Sequence, residues 1–376
     1  MNLGFDAKRA YQNYTGLGNY SRDLLRHLFE QEPDFFYYLY SPKISAHPNF
    51  KFINEHANVK QITPTSPLDK TFKGLWRSVN LEKTLLQDNI DIFHGLSNEI
   101  PMRQPSGKVK YVVTIHDLIF KRYPRNYKAI DRRVYNTKFK YAANNADQVI
   151  AISDQTKRDI MEYYDTPEDR ITTIYQTCHD NFKKEYSDEI KQHIKQKYDL
   201  PDNYILSVGT IETRKNLNGV LQAIPLMKND LPIVVIGRKT KYYNFLKVQM
   251  EKQKIDPNRF IFLKNVSIEE LPSIYQMATV FVYPSFFEGF GIPIIEALHS
   301  NTPVITSKGG CFPEAAGPSS LFVDPSNIEE IADAIDSLCA DEGKRNLMKI
   351  KGKEFVQKFE PNILTQQLVD VYKKLM

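Results

Sequence analysis

The sequence predicts an α/β protein made of two Rossmann-like, doubly wound parallel-sheet domains facing each other across a cleft. Three observations carry this reading. The 376 residues exceed one ordinary hydrophobic core, so two domains of roughly 150–200 residues each are expected. Short β-branched or aromatic runs alternate with longer helical patterns from end to end, the signature of parallel strands joined by crossover helices. The alternation also restarts near residue 200, after a polar, charged stretch.

Taken in order, the strand candidates of the first half are Asn2–Phe5, Phe35–Tyr40, Val59–Ile62, Ile90–Phe93, Val109–Ile115, Gln148–Ile152 and Ile171–Tyr175. Those of the second half are Tyr204–Val208, Ile233–Ile236, Phe260–Leu263, Val280–Tyr283, Val304–Thr306 and Leu321–Val323. The boundaries this predicts are an N-terminal domain over 1–180, a linker over 181–200 and a C-terminal domain over 201–355. A final helix over 356–376 is expected to return to the N-terminal domain. In such open sheets, ligands bind beyond the carboxyl ends of the strands.

Composition narrows the class. Hydrophobic residues at 41% and charged residues at 25% are ordinary for a globular protein and argue against disorder. No apolar run approaches the roughly 20 residues needed to span a bilayer. The N-terminus begins directly as a strand, with no charged and apolar leader, so a cytoplasmic protein is expected. Cys178, Cys311 and Cys339 are widely separated and form no C-x-x-C pair, which points to neither a disulfide framework nor a zinc site. A net charge of +5 is too modest to imply nucleic acid. Its distribution is uneven, however: Lys121–Lys140 carries eight basic residues against the single acid Asp131, interleaved with Tyr123, Tyr127, Tyr135 and Phe139. That stretch reads either as a solvated basic face or as a peripheral contact with anionic lipid at the inner face of the cell membrane.

The chemistry concentrates between residues 279 and 298. Thr279–Pro284 reads as a buried strand and Ile292–Leu298 as a helix start with proline in its first turn. Between them lies Ser285-Phe286-Phe287-Glu288-Gly289-Phe290-Gly291. A helix N-terminus offers unpaired N–H groups and partial positive charge to a diphosphate, and glycines let the backbone approach it. Glu288 and Glu296 flank that place, and a carboxylate can accept hydrogen bonds from two neighbouring hydroxyls at once. A solvated first-turn glutamate and plain turn glycines would explain the same residues.

Glu288-Gly289-Phe290-Gly291 followed by Glu296 resembles the E-x7-E motif of group 1 (family 4) retaining glycosyltransferases, whose fold is of the two-domain GT-B type. The likeness extends in order along the chain through Gly16-Leu17-Gly18-Asn19-Tyr20, Thr114-Ile115-His116-Asp117, Ala151-Ile152-Ser153, Val208-Gly209-Thr210, Arg214-Lys215-Asn216, Pro303–Thr306 and Pro313-Glu314. It implies that Glu296 holds the ribose hydroxyls, that Glu288 and His116 contact the transferred sugar, and that amides around Phe290 and Gly291 meet sugar hydroxyls or phosphate. Arg214 and Lys215 would neutralise the departing diphosphate. Gly16 and Gly18, read as a loop before a helix over Asn19–Phe29, would approach a phosphate or the acceptor. Asp117, Gly209, Gly237, Arg238 and Val266 complete the expected donor surroundings by position, although Asp117 could equally cap a turn.

Two departures stand out: Thr210 follows the glycine where many relatives carry arginine, and Gln176-Thr177 stands where many carry Asn-Gly. No D-x-D sequence occurs, so no catalytic metal and no cofactor are expected. The implied activity is transfer of a hexose from a nucleoside-diphosphate sugar to a saccharide or lipid-linked acceptor in polysaccharide or glycolipid assembly. Val208–Asn216 most resembles mannosyltransferases. A sugar-nucleotide epimerase of the same fold, or a non-catalytic basic binding protein, are the alternatives.

Overall fold

The computed structural model describes residues 1–45, 48–102 and 107–376. The chain divides into two compact units, one formed by Met1–Thr177 with Phe359–Met376 and the other by Cys178–Lys358.

In the first unit seven strands form one parallel sheet: β1 Asn2–Asp6, β2 Phe36–Tyr40, β3 Val59–Ile62, β4 Ile92–Gly95, β5 Lys110–Ile115, β6 Gln148–Ala151 and β7 Ile171–Thr173. Their order is β3-β2-β1-β4-β5-β6-β7, so the winding reverses between β1 and β4. Central strands are apolar on both faces because helices cover both, whereas the edge strand β3 carries Lys60 and Gln61 towards solvent. One face packs Leu3, Phe5, Ile92 and Val112 under Leu25 and Phe29 of the helix Gly16–Gln31 and under Leu368 and Tyr372 of the helix Pro361–Leu375. The other face packs Phe93, Tyr111 and Val113 against Leu85, Ala142 and Ile160.

The second unit holds six parallel strands: β8 Ile205–Val208, β9 Ile233–Ile236, β10 Phe260–Leu263, β11 Val280–Tyr283, β12 Val304–Ser307 and β13 Leu321–Val323. Their order, β10-β9-β8-β11-β12-β13, reverses between β8 and β11.

Three expectations need correction. Residues 181–200 are not a free linker: Phe182 is buried 5.6 Å from the Tyr275 ring, and the helix Asp188–Tyr198, capped by Ser187, buries Ile194, so this segment belongs to the second unit. Its density of charge hid two apolar anchors. The helix expected to begin at Asn19 begins at Gly16, because Thr15 takes the extended N-cap conformation and its carbonyl accepts from Gly18 and Asn19. Gly16 and Gly18 therefore lie in a first helical turn rather than a loop. Strand β4 starts at Ile92 rather than Ile90, because the left-handed Asn89 (φ 51°) turns Ile90 back so that its N–H meets Leu85 O. The strand consequently includes His94.

The two helical glycines differ in kind. A Cβ on Gly18 would stand 1.9 Å from Asn13 O, whereas one on Gly16 would meet nothing within 4 Å. Gly18→Ala should lower the stability of the chain by more than about 2 kcal/mol, and Gly16→Ala should leave it unchanged or raise it by a few tenths to about 1 kcal/mol. Urea unfolding of both variants checks this, and equal effects would contradict it.

Candidate active site

Strands β8 and β11 are neighbours at the reversal point of the second sheet, the place where open parallel sheets of this kind bind ligands beyond the carboxyl ends of their strands. The loop after β8 carries the turn Thr213–Lys215, and the loop after β11 carries Glu288. The two loops are joined through the backbone: Phe286 N–H donates to Arg214 O at 2.9 Å, and Arg214 Nη1 donates to Phe287 O at 2.6 Å.

Glu288 sits at the centre, only 8% exposed. Its carboxylate meets Arg214 Nη1 at 2.6 Å through one oxygen and Lys215 Nζ at 2.7 Å through the other, and the second oxygen also accepts from Tyr283 OH at 3.1 Å. Burial pushes this carboxyl up, but Lys215 and Arg214 more than offset it and hold it below its ordinary value. Burial acts against the Arg214 charge too, yet Glu288 and Glu212 keep the guanidinium firmly protonated. Arg214 Nη2 reaches Glu212 at 2.7 Å, and Lys215 lies over the Tyr283 ring at 4.8 Å while donating to its hydroxyl.

The loop closes on Gly291, whose φ of +110° only glycine adopts readily, and the helix Ile292–His299 follows with Pro293 in its first turn. Phe287 and Phe290 are buried, and Cys311 donates its thiol hydrogen to Glu288 O across 3.3 Å. The loop is thus packed from beneath.

Glu296 lies in the same helix in an opposite electrostatic setting. Burial raises its carboxyl to about 7, with the hydrogen bond from Tyr275 OH (3.0 Å) and the charge of Lys215 opposing. Two glutamates eight residues apart therefore differ in charge state near neutrality.

Gly209 (φ +150°) follows β8, and a Cβ added there would come 3.6 Å from the Lys215 chain. A Cβ on Gly237 would stand 1.8 Å from Gly209 O, so that glycine has a packing reason independent of any ligand. Arg238 is exposed, and its carbonyl accepts from Ile211 N–H. Val266 is half-buried after the left-handed Asn265. No hydrogen bond or ion pair joins either to the Glu288 cluster. Arg214 and Lys215 are the cations that pair with Glu288 among the described residues.

In the first unit His116 follows the last residue of β5 and is buried. Its Nε2–H donates to Leu96 O at 2.9 Å, its Nδ1 accepts from Gln176 Nε2 at 3.2 Å, and its backbone N–H donates to Asn98 Oδ1 at 2.7 Å. Burial lowers the imidazole to about 4, so it stays neutral. Gln176, a departure from the family pattern, thus holds the acceptor nitrogen of His116. Asp117 Oδ1 accepts from Ile119 N–H and caps the following turn.

Sequence reasoning did not single out Tyr283, Tyr275, Glu212 or Cys311. Tyr283 ends β11 at the carboxyl edge, a position that topology marks, but Tyr275 carries no such signal because its bond to Glu296 spans two helices. Among the described residues no group of three or more His, Cys, Asp and Glu side chains is arranged to hold a metal.

The raised carboxyl of Glu296 has a stability consequence of fixed sign. The unfolded chain ionises this group near 4.5 and the folded chain near 7, so the folded state binds more protons in between and stability falls as pH rises from about 4.5 to 7. Glu296→Gln should flatten that slope in denaturant titrations across this range. A slope identical to wild type would show that the carboxyl is not perturbed.

Residues 188–355 match the family described as Glycosyl transferases group 1, and residues 14–180 match Glycosyltransferase Family 4. The chain is 30% identical over 290 residues to O-antigen chain mannosyltransferase B of Escherichia coli, covering 76% of this chain and 74% of that protein. A glycosyltransferase from Rickettsia africae ESF-5 has the same fold, with a TM-score of 0.75 at 18% identity over 100% of this chain and 98% of that one. Anabaena Alr3699/HepE, solved in complex with UDP and glucose, matches with a TM-score of 0.75 at 17% identity over 100% of both chains. With two parallel sheets of seven and six strands and these relatives, the chain belongs to the group 1, family 4 glycosyltransferases of the GT-B fold.

Proposed function

We propose that the chain is a retaining, metal-independent hexosyltransferase that moves a sugar, mannose being favoured by the Escherichia coli relative, from a nucleoside diphosphate to a saccharide or lipid-linked acceptor of cell-surface polysaccharide. The observation that carries it is the Glu288 carboxylate held between Arg214 and Lys215 at the reversal point of the second sheet.

In the transfer, the anomeric C–O bond breaks and its electron pair leaves on the diphosphate, while the sugar gains cationic character. Arg214 and Lys215 meet the charge that develops on the diphosphate, in a crevice where water screens poorly. Backbone amides near Phe290 and Gly291 add fixed dipoles, and these protein charges do the work a divalent cation does elsewhere. Glu288, kept ionised, accepts from hydroxyls of the transferred sugar. Glu296 accepts from the ribose diol in its ionised form. The acceptor hydroxyl oxygen forms the new bond, and its proton passes to the departing phosphate, because His116 is held neutral with both ring nitrogens engaged.

The acceptor reading has its own support. Arg122 is paired with Asp159 and Lys138 with Glu99, but Arg125, Lys128, Arg133 and Lys140 are exposed beside Ile130 (75% exposed), Val134 and Tyr135. Leu68, Phe72 and Leu75 are exposed beside Lys70 and Lys73, and the ion pairs Arg77–Glu99 and Lys138–Glu99 tie the two segments together. Apolar side chains among cations suit the surface of an anionic bilayer, where a lipid-linked acceptor resides. No helix among the described residues is long and apolar enough to cross it.

A sugar-nucleotide panel read by thermal shift should give one stabilising donor, with nucleoside diphosphate released only when acceptor is added and release unaffected by EDTA. Stabilisation by none, or release without acceptor, counts against transfer. With that donor, Arg214→Ala and Glu288→Gln should each lower kcat by about 100-fold, and Glu296→Gln should weaken nucleotide binding. Wild-type affinity should itself weaken as pH falls below about 7, where Glu296 takes up its proton. Charge reversal at Lys128 and Arg133 removes exposed cations worth about 1 kcal/mol each at such a surface; cosedimentation with phosphatidylglycerol vesicles at low salt should drop accordingly, and unchanged binding would reject the membrane contact.

A further inference from the structure

A file of polar side chains, buried except for the half-buried Tyr20, crosses the first unit and ends against His116. The Tyr372 hydroxyl lies 2.6 Å from His94 Nδ1, and His94 Nε2 lies 2.8 Å from Thr114 Oγ1. Thr114 Oγ1 is in turn 3.1 Å from Tyr20 OH. The Tyr20 ring and the His116 imidazole pack perpendicular to each other, with centroids 4.7 Å apart and planes at 89°. His94, Thr114 and Tyr372 are each at most 1% exposed.

These are positions an apolar core would ordinarily fill. In the parallel register His94 is level with Phe5 on one side and Val112 on the other, so it shares a sheet face with Leu3, Ile92 and, one step along β5, Thr114. The surrounding residues form the core under Leu25, Leu28, Leu368 and Val369. Leucine or valine at 94 and 114 would bury comparable surface without stripping water from an imidazole, and that loss of water is severe enough to depress His94 to about 3. A buried polar file is retained at such a cost only when each member is satisfied, and here each is.

Proton bookkeeping sets its direction. His94 is neutral and has one N–H to give. Tyr372 has no acceptor other than His94 Nδ1 among the described residues, so its hydroxyl donates there and His94 donates from Nε2 to Thr114. Thr114 Oγ1 thus accepts from His94 and shares a hydrogen bond with Tyr20 OH. The order begins at the last helix of the chain and finishes at the aromatic ring that walls His116.

Leu96 O and Gln176 fix the two nitrogens of His116 within the plane of its ring. Neither prevents the ring from tilting about the line joining those bonds; the perpendicular Tyr20 ring packed against it does. We propose that Tyr372, His94, Thr114 and Tyr20 are positioning residues that lock the plane of the His116 ring, making the C-terminal helix Pro361–Leu375 a working part of the first unit's half of the enzyme. The kinetic consequence rests on the transferase reading above; the effect on His116 rests on geometry alone.

Thr114→Val and Tyr372→Phe each remove one hydroxyl with little change of shape. Long-range 15N–1H NMR of histidine-labelled full-length protein should show His116 as one sharp Nε2–H species in wild type and, with that tautomer kept by Leu96 O and Gln176, as shifted or exchange-broadened ring signals in both variants. With the sugar nucleotide that gives the largest thermal shift, kcat should fall by about tenfold while KM for that nucleotide is unchanged, since Arg214, Lys215 and Glu296 lie in the other unit. Thr114→Ser, which restores the hydroxyl, should restore both readouts. Wild-type His116 resonances and kcat in both variants, with only a lower melting temperature, would reduce the file to a structural role and overturn the proposal. If wild-type protein transfers no sugar, the transferase reading fails, and the His116 resonances still decide whether the file positions the ring.

Discussion

The ion triad of Glu288 with Arg214 and Lys215 depends on two strand ends being neighbours, and much of the second unit is arranged to make them so. A lone buried carboxylate would protonate, and two lone cations beside one another would repel. Together they stay charged because each compensates the desolvation of the others. Tyr283 at the end of β11 adds a hydroxyl and a ring face, and backbone bonds between the two loops hold the distances. The result is a pair of positive charges held beside a negative one by the protein's own packing. Such preorganisation suits a reaction in which charge separates along a breaking bond.

The helix that follows the Glu288 loop carries a second carboxyl that behaves oppositely. Glu288 finds cations and stays ionised; Glu296 finds a tyrosine hydroxyl and an apolar neighbourhood and is poised near neutrality. Their residue type is identical and their spacing short, so the difference comes wholly from what the fold brings to each. The first unit uses burial in another way: it keeps His94 and His116 neutral, and so turns two imidazoles into directional hydrogen-bond elements instead of charges.

All thirteen strands and the two parallel sheets were legible in the sequence, because buried parallel strands write themselves as short apolar runs. Errors fell where local pattern and tertiary context disagree. The 181–200 segment reads as a solvated connector, yet Phe182 and Ile194 are enough to bind it to the second unit. Gly16 and Gly18 read as loop residues, yet a capped turn makes them helical, and the two then differ by whether a backbone carbonyl occupies the space a methyl group would need.

By itself the sequence determined the architecture and the family, and marked Glu288, Glu296, Arg214, Lys215 and His116 as the residues of interest, because periodicity and short motifs are local properties. Which of the glutamates is ionised, that Tyr283 and Tyr275 support them, and that Tyr372 reaches within hydrogen-bonding distance of His94 from 278 residues away were decided only by the tertiary structure. The reason is physical: charge state and hydrogen-bond partnership depend on burial and on distances of about 3 Å, and sequence separation carries no information about either.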